Sequence, residues 1–165
     1  MKKNILAVSF LVSAVFFGCN SGQDGKQSQA NGQAGGDSIL KSQCYIAIDG
    51  SDSAYLTLDS RADDKISGKL LINFQNKPNN NGKLNGEFKG DTLFVDYTFT
   101  AGENKTVYKN PLAFLSDSGK MVLGIGTIET YLGRSYFAKG KPIDFDKGRF
   151  KFDSLDCKDQ NTVVR

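Results

Sequence analysis

The chain has 165 residues, of which 39% are hydrophobic, 24% charged and 11% aromatic, enough apolar material for about one packed domain. It contains no histidine, which excludes Ser-His-Asp and Cys-His catalytic units and any imidazole metal site. The formal charge of +3 falls to +1 (19 basic against 18 acidic residues) once Lys2 and Lys3 are assigned to an export segment, which argues against nucleic acid as a partner.

Lys2 and Lys3 precede an apolar run of thirteen residues, Ile5 to Phe17. As a helix this run covers about 20 Å, too little for a hydrocarbon core of about 30 Å. Residues 1–18 therefore read as a signal peptide rather than a membrane span. Gly18-Cys19 closes the run and resembles a bacterial lipoprotein signal, in which the thiol is lipidated and the cysteine becomes the new N-terminus. The resemblance implies lipid attachment at Cys19, with palmitate among the acyl chains, and stable membrane anchoring. Asn20 follows the cysteine, and by the same resemblance the expected location is the outer membrane of the cell envelope.

Residues 19–38 continue as a Gly-, Gln- and Ser-rich stretch with nothing larger than Ala among its apolar residues after Cys19. Such a segment cannot bury enough surface to offset its ordering entropy, so it is expected to be a flexible linker.

Residues 39–165 are expected to form one all-β domain. Short alternating segments are separated by turn residues every eight to twelve positions. The predicted strands are Cys44–Ile48, Ala54–Asp59, Ile66–Gln75, Lys83–Lys89, Thr92–Thr100, Thr106–Leu115, Met121–Thr130, Ser135–Lys139 and Arg149–Phe152. The Gly90-Asp91 pair predicts a tight hairpin of primed type. Around it Leu84, Gly86 and Phe88 share one face, as do Leu93, Val95, Tyr97 and Phe99. Ile66, Gly68, Leu70, Ile72 and Phe74 form a third inward row. Glycines within strands (Gly68, Gly86, Gly124, Gly126) predict bends or bulges. No helical pattern separates the strands, so a meander is expected, and a meander of this length hides its edges best by closing. The expected fold is a single up-and-down antiparallel β-barrel of about eight strands, lipocalin-like in architecture; the alternative is a two-sheet sandwich. The bulk of the inward side chains predicts a filled interior.

Cys44 and Cys157 bracket the domain, and export would place them in a disulfide-permissive compartment. A structural bridge is the expected reading. Free thiols or a redox pair are the alternatives, and no Cys-x-x-Cys spacing favours redox work. The acid groups Asp49/Asp52, Asp63/Asp64 and Asp153/Asp156/Asp159 lack a calcium loop's spacing and read as turn formers. No metal or cofactor is expected. With only Glu87, Glu103 and Glu129 as glutamates, and the aspartates mostly in turns, catalysis by paired carboxylates is not expected either.

Ile66-Ser67-Gly68-Lys69-Leu70, Gly90-Asp91-Thr92-Leu93 and Tyr97-Thr98-Phe99, bracketed by the two cysteines, resemble a group of small Gram-negative envelope lipoproteins. The resemblance implies a disulfide-closed barrel and transfers no activity. The expected role is a non-enzymatic binding module for a small apolar molecule held at the mouth or interior of the barrel. The alternative is a protein-interaction component, or an inhibitor, in the envelope.

Overall fold

The computed structural model describes residues 38–159. The signal peptide, Cys19 and almost all of the linker lie outside the described residues. Ten strands follow in order: β1 (Ile39–Asp49), β2 (Asp52–Arg61), β3 (Lys65–Asn73), β4 (Asn80–Lys89), β5 (Thr92–Ala101), β6 (Tyr108–Asp117), β7 (Lys120–Leu123), β8 (Ile128–Tyr131), β9 (Arg134–Phe137) and β10 (Lys151–Leu155). Eight of them close into an antiparallel barrel in the order β1-β10-β7-β6-β5-β4-β3-β2. The closed meander is the expected one, and the sandwich is excluded. Closure gives every stave two neighbours, so no whole strand is left as an edge, although β6 before Phe114 and β1 before Cys44 pair on one side only.

The pleat sorts side chains as the alternation predicts. Tyr45 and Ala47 on β1, Leu56 and Leu58 on β2, and Ile66, Leu70 and Ile72 on β3 all point inward and are buried. Leu84, Leu93, Val95 and Tyr97 continue the core across β4 and β5, and Phe114, Met121 and Phe152 complete it. Inner rows alternate large and small residues. Gly82 lies between Leu70 and Phe99 in register, and Gly86 lies between Ile66 and Val95. A Cβ on Gly86 would stand 1.9 Å from the Phe94 carbonyl oxygen, so only glycine permits this approach of β5 to β4. Gly68 and Gly86 keep regular register; the bulges expected there are absent, and the one register shift in the β1–β2 pair falls at Ile39/Lys41. Tyr97 places its hydroxyl among these side chains and donates to the Leu70 carbonyl at 2.9 Å, so its polar end is satisfied inside the wall. Burial pushes its phenol well above the usual tyrosine range.

Two predicted strands are not barrel staves. The segment expected as one strand, Met121–Thr130, breaks after Leu123, and the predicted Ser135–Lys139 strand pairs with β8 in a separate two-stranded hairpin. Gly124 marks the exit: a Cβ there would fall 2.4 Å from Ile143 and 2.6 Å from the Phe145 ring. The chain between β7 and β10 thus folds against the outside of the wall. A backbone bond from Gly124 to Ala113 of β6 (2.9 Å) fastens it there, and Ile125 and Asp144 bond each other (2.8 Å each way) within the segment. Pro111 and Ala113 are outward-facing yet buried beneath it. Pro111 is tolerated because β6 joins β7 only from Phe114 onward, so its missing N–H breaks no ladder bond on that side. Phe88 sits at the rim rather than in the core, and Phe94 and Phe137 meet edge-to-face outside the barrel at 6.3 Å.

β10 closes the wall with few pairs, three to β1 and two to β7. Two devices reinforce this seam. Cys44 and Cys157 form a disulfide on the outer side, with Cα atoms 5.1 Å apart. At the other end Arg149, just before β10, pairs with Asp49 and, at 2.7 Å, with Asp52, the two acids flanking the β1–β2 turn.

Candidate functional site

With the interior filled by side chains, recognition surfaces lie on the outer wall. The most developed is a cleft of about 880 Å³ between the β8–β9 hairpin and the outward faces of β3 to β6. Its floor carries Ser67, Asn85 and Asp96; Phe94, Pro111 and Phe137 form its apolar side, and the hairpin residues Tyr131, Leu132, Arg134, Ser135 and Tyr136 overhang it. The hairpin stands there because Phe137 packs on Phe94 and because Ala138, 5% exposed, donates its N–H to the Thr127 carbonyl at 2.8 Å.

The hairpin tip is unusual. Leu132 has φ 48° and Gly133 φ 75°, the pair of positive values a two-residue primed turn requires. Asn or Asp normally fills the first position, since a short polar side chain can hydrogen-bond the local backbone and offset the strain of positive φ, which an apolar side chain cannot do. Leu132 is nevertheless 84% exposed, gaining no burial in return, and Tyr131 beside it is 66% exposed. Tyr136, 42% exposed, falls by register on the same hairpin face as Tyr131 and extends this exposed apolar surface, whereas Ile128 lies on the opposite face.

The charges of the cleft are mostly spent on one another. Glu87 pairs with Lys65, and with Lys89 at 3.8 Å; Arg61 lies 3.9 Å from Asp63, and Asp96 lies 2.7 Å from Lys109. The Lys65 ammonium, hydrogen-bonded to Glu87, holds that carboxyl below the usual glutamate range, and Glu87 in turn raises the Lys65 pKa. A carboxylate depressed in this way is a poor proton donor, whereas a general acid needs the opposite shift. Arg134, across from Tyr131 in the hairpin, makes no ion pair among the described residues. Among the described residues, the cleft is an amphipathic surface on which Arg134 makes no ion pair.

The structure places the other sequence-derived candidates as follows. Cys44 and Cys157 are joined. Cys19 lies outside the described residues. Asp49 and Asp52 converge on Arg149, and Asp52 also accepts from the Gln75 N–H at 2.9 Å. The Gln75 N–H, followed by Arg149, holds the Asp52 carboxyl below its usual range. Asp63 accepts from the Lys65 N–H, Asp153 pairs with Lys120 at 2.6 Å, and Asp156 accepts from the Lys158 N–H at 2.9 Å. No group of three or more metal-ligating side chains assembles among the described residues. Sequence reasoning missed the hairpin tip. Its available signal was the unassigned Leu132-Gly133 pair between two short alternating runs.

Fold and site together define a closed eight-stranded antiparallel barrel carrying an external hairpin on its wall. No protein-family model, curated protein or solved structure matches the chain.

Proposed function

We propose that this chain is a non-enzymatic envelope lipoprotein, tethered through Cys19, that docks a partner protein with the β8–β9 hairpin and the cleft beneath it. The observation that carries the reading is Leu132: a strained, 84% exposed apolar side chain at the tip of a structured hairpin. A residue that costs the fold stability and gains no burial within it is accounted for by burial elsewhere. Arg134 and the neighbouring tyrosines suit a partner surface with an apolar pocket and an acidic rim. The alternative of a small apolar molecule inside the barrel is less favoured, because Phe114, Phe152, Leu56, Leu70, Leu84 and Met121 already occupy that space.

A photo-crosslinking residue at position 132 in intact cells tests this. The expected result is an adduct of one discrete mass that is lost with Arg134→Glu and absent when the probe stands at Lys120, on β7. Equal labelling from both positions would refute the reading. The anchor is tested separately: Cys19→Ser should move the protein from the membrane fraction to the soluble one, and unchanged fractionation would remove the lipoprotein assignment.

A further inference from the structure

A second surface on the barrel wall has its own chemistry. Pairing in register brings Thr57, Lys69, Lys83 and Thr98 into one row across β2, β3, β4 and β5, with Lys69 directly opposite Lys83. Residues so opposed have Cβ atoms about 5 Å apart, and like charges in that position destabilise a sheet. Three other lysines of the wall have an acidic partner: Lys65 pairs with Glu87, Lys109 with Asp96 and Lys120 with Asp153. Lys69 and Lys83 make no ion pair among the described residues. The outward acids nearest in register are committed, Asp59 accepting from the Ser42 hydroxyl and Asp96 pairing with Lys109.

The two lysines border a concavity of about 640 Å³. Tyr55 and Leu71, paired in register, form its apolar wall, and Tyr55 is only 7% exposed despite facing outward. Val107, 64% exposed, stands at the edge ahead of β6, and the Thr98 and Thr100 positions supply hydroxyls. Two adjacent ammonium groups, flanking hydroxyls and an apolar strip match an anion joined to an apolar body.

We propose that the outer face of β2 to β5 binds a phosphate-bearing amphiphile, with the phosphate between Lys69 and Lys83 and the apolar part along Leu71 and Val107. The anion relieves the cross-strand repulsion, so the pair is retained at the expense of the empty barrel. This site is independent of the hairpin cleft.

The test uses the full exported chain carrying Cys19→Ser, which keeps the sample free of detergent. Dodecyl phosphate is titrated below its micelle concentration, with inorganic phosphate and dodecyl maltoside as the free-anion and neutral-amphiphile arms. Amide shifts are followed by NMR. Dodecyl phosphate should shift the Lys69, Lys83 and Thr98 amides. Lys83→Gln should weaken it about tenfold, and Lys69→Gln/Lys83→Gln should abolish saturable binding. Without ligand Lys83→Gln should raise the thermal midpoint by about 1–3 °C, which shows that the variant folds and that the repulsion was real. Equal affinity for inorganic phosphate would overturn the amphiphile, and equal affinity for dodecyl maltoside would overturn the lysine pair. Unchanged binding in the double variant, or shifts confined to other strands, would overturn the site.

Discussion

Removing the Cys44–Cys157 bridge tests how the barrel is held shut. The cysteines are 113 residues apart in sequence, so the bridge closes nearly the whole domain into one loop. In the chain-entropy account a loop of that size restricts the unfolded chain by about 5 kcal/mol, a large part of the 5–15 kcal/mol typical of a domain. The bridge also fastens the weakest seam, since β10 makes three register pairs to β1 and two to β7 while β4 and β5 share ten. Cys44→Ala/Cys157→Ala should therefore lower the urea midpoint by about 3 M, taking a slope of about 1.5 kcal/mol/M for a domain of this size. Amide exchange should report where the loss is felt, with β10 (Lys151–Leu155) and its partners Cys44–Ile46 losing protection before the β3–β5 staves. A midpoint shift below about 0.5 M would refute the entropic reasoning. Uniform loss of protection over all strands would refute the seam.

Other expectations follow from packing, charge and backbone strain. Phe152→Ala empties a fully buried position packed on Phe114 at 5.8 Å and should cost about 3–5 kcal/mol, whereas Phe88→Ala at the rim should cost about 1 kcal/mol or less; both are read by urea unfolding. The Asp52 carboxyl is held below its usual range in the fold, so its stabilising contribution is fully present above the unfolded pKa, about 4, and is lost as pH falls through the lower folded value. The urea midpoint should therefore decline below about pH 4, and Asp52→Asn should start lower and decline less steeply; identical slopes would contradict the Gln75 and Arg149 contacts. Leu132→Asn relieves the positive φ and should stabilise the β8–β9 hairpin by about 1 kcal/mol, seen as slower amide exchange from Ile128 to Phe137, while weakening partner capture.

The strand rows were legible because alternation and burial act locally. Ile66, Leu70 and Ile72, or Leu93, Val95 and Tyr97, declare an inner face within a few residues of one another, and the Gly90-Asp91 turn declares their hairpin; Gly90 has φ 64°. The same reasoning failed on Met121–Thr130, because alternation continues into β8 and nothing local shows that Ile143 and Phe145 fill the space beside Gly124. Phe94 and Phe137 pack against each other outside the barrel, a contact across 43 residues that no local pattern shows. The cysteine pair was inferable from count and placement, while the Arg149 latch spans 97 and 100 residues to its two acids and left no local trace.

Taken alone, the order of residues determined an all-β domain and its inward rows, since periodicity two and turn chemistry constrain these directly, and it favoured a closed meander and a Cys44–Cys157 bridge that the structure then decided. Tertiary structure decided which alternating segments became staves, where the external hairpin sits and which charges face one another. Those outcomes depend on register between strands, and register places Lys69 against Lys83 or Glu87 against Lys65 through pairings that no short window of sequence contains.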